Sequence, residues 1–188
     1  NSDEDYQRFY KELLEGKLPT TSQINIFDFE KYFSDLLDNN QGDLVHISIS
    51  SGLSGSYGCA MTASNNLKSK YPNRKIIIID SLSACFGQAT LVDVAVEFTT
   101  DILNDLVPNI QHWIFINDLK HLKRCGRIGT ASALIGTILK LKPVLTLNDK
   151  GQVKLVHKTF GVQRALKFFI ESIEKYGEQE IISHGEKI

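Results

Sequence analysis

Apolar runs of strand length alternate with amphipathic segments along the first part of the chain. Strands are predicted over 43–50, 74–80 and 112–118, and the four consecutive isoleucines of the second predict burial on both faces, as in a parallel sheet. The helices predicted from the spacing of apolar residues cover 5–15, 29–39, 57–71 and 91–103. We expect Asn25 or Asp28 to cap the second helix. This order of strands and helices indicates an α/β domain with right-handed crossovers.

The pattern changes after residue 117. The elements predicted there are a short helix with a glycine-containing turn (119–130), a helix (131–141), two strands (142–160), an amphipathic helix (161–176) and the start of a last strand (180–188). The two strands are joined at Asn148–Gly151, where glycine supplies the positive φ of a hairpin turn. We therefore expect a first α/β lobe over 1–117 and the start of a second α/β lobe over 118–188.

Composition narrows the class of protein. The chain has 188 residues, 42% of them hydrophobic, which is enough for one large or two small domains with a real core. No apolar run is long enough to span a bilayer and nothing resembles a signal peptide, so we expect a cytoplasmic protein without an integral membrane segment. Three cysteines far apart in sequence argue against a disulfide framework or a CxxC site, and the five histidines show no metal-ligand spacing. No metal and no cofactor are predicted.

Charge is distributed unevenly along the chain. Residues 1–119 carry 8 basic and 16 acidic side chains, whereas residues 120–188 carry 13 and 6. The basic part is expected to face an anion or an acidic partner, and the alternative is an uneven surface charge without function. Aromatic residues do not interleave with the basic ones and no recognition-helix motif is present, so we do not expect nucleic acid binding.

The most informative segment is SSGLSGS, residues 50–56, between the first predicted strand and the next helix. Ligands bind beyond the carboxyl ends of strands in parallel sheets, and the helix would offer free N–H groups and a positive dipole end there. Four serines and two glycines add hydroxyl donors and close backbone approach, which suits a phosphate or a carboxylate. The alternative is ordinary helix capping. The segment lacks the GK[ST] ending of a P-loop and the G-x-S-x-G spacing of a nucleophile elbow.

Two other segments suit an anion. Residues 19–23, PTTSQ, are dense in hydroxyl groups that could bind an anion. The alternative interpretation is a capped turn without a ligand. Residues 123–127, KRCGR, offer guanidinium groups, which bind carboxylate or phosphate. The alternative interpretation is a solvated basic turn without a ligand.

Five segments in order resemble one protein family. They are TSQ (21–23), ISSGLSGSY (49–57), IIIIDS (76–81) with a downstream glycine, DLKHLKRCGRIG (118–129) and LKLKPVLTLNDKG (139–151). Each segment is weak alone, whereas five in this order are specific. The chain thus resembles the DegV family of bacterial fatty-acid-binding proteins, some of which are the lipid-binding subunit of a fatty acid kinase.

The resemblance implies a two-lobed DegV-like α/β fold, with a parallel-sheet first lobe, an α/β second lobe and one long-chain fatty acid in a tunnel between them. Family members extend past both ends of this sequence, so we expect each lobe to be incomplete here. Carried over by position, the candidate fatty-acid-binding residues are Thr21, Ser22, Ser51, Ser54, Gly55 and Arg127. The Thr21 and Ser54 hydroxyls are expected to bind the carboxylate, with the Gly55 N–H joining them and Arg127 near the head group.

The resemblance favours a non-catalytic lipid carrier. Such a protein binds a long-chain fatty acid and presents it to a separate ATP-binding kinase subunit, which forms the acyl phosphate. The alternative is an enzyme or binding protein for a small phosphorylated ligand that uses SSGLSGS as a phosphate-binding loop. A third possibility is a regulatory interaction protein without a ligand. A long apolar cavity beside the loop would favour the carrier.

Overall fold

The computed structural model describes residues 2–97, 100–116, 119–134, 141–177, 182–183 and 186–187. The helices are α1 (Asp3–Leu14), α2 (Ile26–Asn39), α3 (Ser56–Leu67), α4 (Cys85–Glu97), α5 (Thr100–Leu106), α6 (Lys120–Arg124) and α7 (Val162–Tyr176). The strands are β1 (Leu44–Ser48), β2 (Ile76–Asp80), β3 (Ile114–Phe115), β4 (Leu141–Leu147), β5 (Val153–Phe160), β6 (Ile182–Ser183) and β7 (Glu186–Lys187). Two 3-10 helices cover Val107–Asn109 and Gly129–Leu134.

The first sheet pairs β1 and β2 in parallel, with Ser48 opposite Asp80 at their carboxyl ends. Ile76 and Ile78 of β2 pack against the core formed with α2 and α3. The alternate residues, Ile77 and Ile79, pack against the core formed with α4 and α5. Helices therefore cover both faces of the strand, as predicted, while Ile79 alone is fully buried and the other three isoleucines are partly buried.

The helix α2 supplies the largest side chains of the first core. Asn25 caps it, since its side-chain oxygen accepts a hydrogen bond from the Asp28 N–H at 2.9 Å. One face of the helix buries Phe29, Phe33 and Leu37. The facing helix α3 contributes small residues that are fully buried, which allows the two helices to approach closely.

The second sheet is antiparallel, in the order β3–β4–β5. The predicted hairpin between β4 and β5 is confirmed: Gly151 has a φ of +64°, and the Asn148 side chain accepts hydrogen bonds from the N–H groups of Lys150 and Gln152. The helix α7 lies against this sheet. Right-handed crossovers predict that the strand over 112–118 lies parallel to the first two, but β3 pairs antiparallel with β4.

Three element predictions differ from the structure. The helix expected from residue 91 begins at Cys85, where Gln88 donates to the carbonyl oxygen of Ile47 at 2.9 Å and anchors the first turn beside β1. The helix expected over 131–141 is a 3-10 helix as far as Leu134, lies outside the described residues over 135–140, and gives way to β4. The single strand expected after residue 180 is a short antiparallel pair, β6 and β7. The predicted lobe boundary at 117–118 lies outside the described residues and stays a prediction.

Candidate functional site

A cavity of about 1020 Å³ lies between the carboxyl ends of β1 and β2 and the second sheet. Its volume is at the upper end of the range for small-molecule pockets. Apolar side chains from the second sheet form much of its wall, namely Ile114, Phe115, Leu145, Leu147 and Val153. Its polar lining residues include Thr21, Ser22, Gln23, Ser54, Ser56 and Arg127. The cavity therefore combines an apolar wall with a limited set of hydrogen-bonding groups.

The first half of the Ser–Gly loop (residues 50–56) joins the two sheets. Ser50 is fully buried, and its hydroxyl donates to the carbonyl oxygen of Gly151 in the β4–β5 turn at 2.8 Å. The same hydroxyl accepts a hydrogen bond from the Gly52 N–H at 3.1 Å. A Cβ on Gly52 would lie 2.7 Å from the Gly151 carbonyl carbon, so only glycine fits against this turn. Ser50 and Gly52 are thus structural through their contact with the β4–β5 turn and do not cap α3, whose N-cap Gly55 has no side-chain hydrogen bond.

The second half of the Ser–Gly loop faces the cavity at the start of α3. Leu53, Ser54 and Ser56 line the cavity, and the Ser54 hydroxyl accepts a hydrogen bond from the Ser56 N–H at 3.2 Å. The two serine hydroxyls lie 2.9 Å apart. Because the N-terminus of a 12-residue helix carries a partial positive charge, this end of the cavity favours an anion.

The Thr21 segment (residues 19–23) lies against the N-terminal end of α3. The Gln23 side chain occupies the space where a Cβ on Gly55 would be, and its amide nitrogen lies 3.4 Å from the Cys59 sulfur. Gly55 thereby allows Gln23 to hold Thr21 and Ser22 beside the start of α3. The absence of a Cβ at Gly55 is needed for this contact.

Arg127, which lies 74 residues after Leu53 in the sequence, is held beside the Ser–Gly loop by two hydrogen bonds. Its Nε donates to the carbonyl oxygen of Leu53 at 3.0 Å, and its Nη1 donates to the carbonyl oxygen of Cys125 at 2.6 Å. Both hydrogen bonds place a permanent positive charge next to Ser54 at the cavity wall. The guanidinium and the helix end therefore favour a negative group at the same place.

Asp80 organises the loops without entering the cavity lining. Its Oδ1 accepts hydrogen bonds from the Ser51 N–H at 3.0 Å and the Leu82 N–H at 3.1 Å, which ties together the segments that follow β1 and β2.

Leu82 and Cys85 have positive φ angles of 47° and 50°. Non-glycine residues in this region are uncommon and cluster at ligand sites.

The structure brings four of the six predicted site residues into one cavity wall: Thr21, Ser22, Ser54 and Arg127. Ser51 is exposed and contributes its backbone N–H to Asp80, and Gly55 contacts Gln23 rather than lining the cavity. Sequence reasoning did not single out Gln23, Ser56, His112 or Trp113, which also line it. Gln23 and Ser56 adjoin predicted residues, and His112 and Trp113 fall at the start of the predicted third strand.

Other chemistry at the site is limited. Burial lowers the pKa of His112, partly offset by a hydrogen bond with the Ile110 backbone, so its imidazole is neutral at pH 7. Within the described residues, no group of three or more His, Cys, Asp or Glu side chains is placed to hold a metal ion. None of the helices in the described part of the chain is long and apolar enough to cross a membrane.

Comparison with known proteins agrees with the geometry. The sequence model described as an uncharacterised protein of the DegV family matches residues 1–185. The chain belongs to the DegV family. A DegV domain-containing protein from Clostridium perfringens is 35% identical over 177 residues, covering 89% of this chain and 60% of that protein. The chain thus spans less than two thirds of the length of this DegV relative.

Solved DegV structures share the α/β fold. A fatty-acid-binding DegV family protein from Thermus thermophilus superimposes with a TM-score of 0.77 at 27% identity, covering 93% of this chain and 63% of that one. A fatty-acid-binding DegV family protein from Streptococcus agalactiae gives a TM-score of 0.78 at 25% identity, covering 93% and 64%. The DegV-like α/β fold predicted from the sequence is confirmed.

Proposed function

We propose that this protein binds one long-chain fatty acid in the 1020 Å³ cavity, with the carboxylate at the start of α3 and the alkyl chain along the apolar wall. The observation that carries the proposal is the arrangement of polar groups. Ser54, the Thr21 segment and Arg127 meet at one helix N-terminus, next to a wall built from the second sheet. Fatty acid binding by the T. thermophilus and S. agalactiae proteins supports it.

The physical requirements of the ligand match this arrangement. A carboxylate taken out of water stays ionised only if several donors or a positive charge compensate it. The Thr21, Ser22 and Ser54 hydroxyls and the Arg127 guanidinium supply such groups. Each methylene removed from water contributes about 0.8 kcal/mol, so an alkyl chain of about 15 carbons gains about 12 kcal/mol before the costs of ordering. The alkyl chain supplies most of the affinity, and the polar groups set its orientation.

Intrinsic fluorescence gives a direct binding test. Trp113 lines the cavity and is the single tryptophan of the chain, so the emission comes from a residue in contact with the ligand space. Delipidated protein titrated with palmitate or oleate should show a saturable change with a stoichiometry of one. Native mass spectrometry of the protein purified from cells should show a fatty acid of matching mass. A protein that neither retains nor takes up a fatty acid would contradict the proposal. A response to a phosphate ester instead would favour the phosphorylated-ligand alternative.

We further propose that the protein is a non-catalytic carrier in the cytoplasm, which presents the bound acid to a separate ATP-dependent kinase subunit. The family resemblance supports this role, and so does the position of the basic helix α6, which ends three residues before Arg127 at the cavity wall. An acidic docking surface would be attracted to this helix, and the exposed Lys123 is its most direct probe.

A trapping assay tests the kinase role. Oleate-loaded protein should form no hydroxylamine-trappable acyl phosphate with Mg²⁺ and ATP alone, and should form it when a soluble extract of the source cells is added. Lys123→Glu should slow the reaction with extract, most at low salt, while leaving oleate affinity unchanged. Acyl phosphate formed without the extract would show that the chain is itself an enzyme.

A further inference from the structure

A second cavity of about 390 Å³ adjoins the first. The two cavities share four lining residues, Gln111, His112, Trp113 and Leu147. The second cavity is otherwise lined by Leu82 after β2, the segment after α5, Thr146 with the β4–β5 turn, and Tyr176 of α7. Its volume alone falls within the range of small-molecule pockets. The two spaces therefore adjoin at these four residues.

Most of this wall is fixed in place. Trp113 is held by α7, because its ring meets Phe168 edge-on at 5.7 Å and stacks on Tyr176 at 6.0 Å. Leu147 belongs to β4, whose backbone is paired with β5. Gln111 is exposed and lies at the rim. His112 is the remaining member of the shared wall.

His112 is held by a hydrogen bond with the Ile110 backbone and by packing. Its Nε2 is buried and has no hydrogen-bond partner among the described residues. The ring rests on Gly87 in the first turn of α4, where an added Cβ would lie 3.0 Å from Cε1.

Resting on the proposed fatty acid binding, we propose that His112 is the partition between the two cavities and that it sets the longest acyl chain the protein accepts. Chains that fill the first cavity end against the imidazole. Removing the imidazole would join the second cavity to the first and give longer chains a space lined by Val107, Pro108 and Ile110, as well as by the polar Asn148 and Asp149. The residue thus determines specificity through its volume.

The test is an affinity series with saturated fatty acids of about 12 to 22 carbons, followed through Trp113 fluorescence. Affinity for the wild-type protein should rise about fourfold for each added methylene until the chain meets the partition, and then stop rising. For His112→Ala the rise should continue for several more carbons, with a gain of at least tenfold for the longest acid that the wild type binds poorly, which is roughly the effect of two methylenes.

Two further variants separate volume from chemistry. His112→Leu refills the wall without a ring nitrogen and should keep the wild-type length limit. Leu147→Ala opens the wall from the other side and should extend the limit, which keeps the inference testable if His112→Ala does not fold. The same limit in the wild type and in whichever opened variants fold would overturn the role of His112. A wild type that binds no acid of any length would overturn the proposed function itself.

Discussion

Replacing Ser50 with alanine tests whether the Ser–Gly loop holds the two sheets together. The substitution leaves the Gly151 carbonyl oxygen without the buried hydroxyl that donates to it at 2.8 Å. A buried polar group that loses its partner costs about 1–3 kcal/mol. The Gly52 N–H also loses its acceptor, but Gly52 is only half-buried and water can replace the hydroxyl there. We expect the free energy of unfolding to fall by about 2 kcal/mol.

The assay is thermal and urea unfolding of delipidated protein, because a bound ligand would shift the apparent stability. For a domain of this size a loss of 2 kcal/mol lowers the melting temperature by about 4–8 °C. Thr21→Val is the matched control. Thr21 is exposed at the cavity wall, so the variant should unfold within about 0.5 kcal/mol of the wild type and yet bind palmitate more weakly. An unchanged melting temperature for Ser50→Ala, or an equal loss for Thr21→Val, would refute the division of the loop into a structural and a binding half.

Three other substitutions test the fold around the site. Gly52→Ala should destabilise by about 1–3 kcal/mol, since its Cβ would meet the backbone of the β4–β5 turn, and unaltered urea unfolding would contradict that contact. Phe33→Ala should cost about 3–5 kcal/mol, because Phe33 is 1% exposed in the core between α2 and the first sheet, and a smaller loss would mean that the core collapses around the gap. Burial against the Phe29 and Phe33 rings lowers the pKa of His46, so the folded state binds a proton less readily than the unfolded chain. The contribution of His46 to the free energy of unfolding should therefore be complete above the unfolded pKa of about 6.5 and decrease as the pH falls below it. His46→Leu should flatten this decrease between about pH 7 and 5. If urea unfolding gives the same pH dependence for the variant and the wild type, the decrease belongs to other groups.

The sequence predicted the features that depend on local chemistry. The isoleucines of β2 could only belong to a strand covered on both faces, Asn25 precedes an apolar helical repeat, and Asn148 with Gly151 has the composition of a hairpin turn. The order of these elements, with the Ser–Gly loop after β1, indicated where a site should lie.

Features that depend on distant contacts could not be predicted in the same way. Periodicity identifies β3 as a strand but carries no information about which strand it pairs with, and β3 pairs with β4. Ser50 and Ser54 belong to the same Ser–Gly loop, and nothing in the sequence distinguishes their roles. Ser50 contacts the turn at Gly151, 101 residues away, whereas Ser54 faces the cavity. The first turn of α4 contains Gly87 and follows a segment with Ser81 and Ser83, which is typical of a loop, and the hydrogen bond from Gln88 to β1 stabilises it as a helix.

The seven residues between β1 and α3 contact the second sheet at one end and line the cavity at the other. The same short segment therefore provides a physical connection through which occupancy of the cavity could be coupled to the arrangement of the two sheets. A ligand that prefers one arrangement raises its population, and a substitution that favours that arrangement raises the affinity by the same factor. The change in palmitate affinity caused by Ser50→Ala, a residue outside the cavity lining, would measure this coupling free energy.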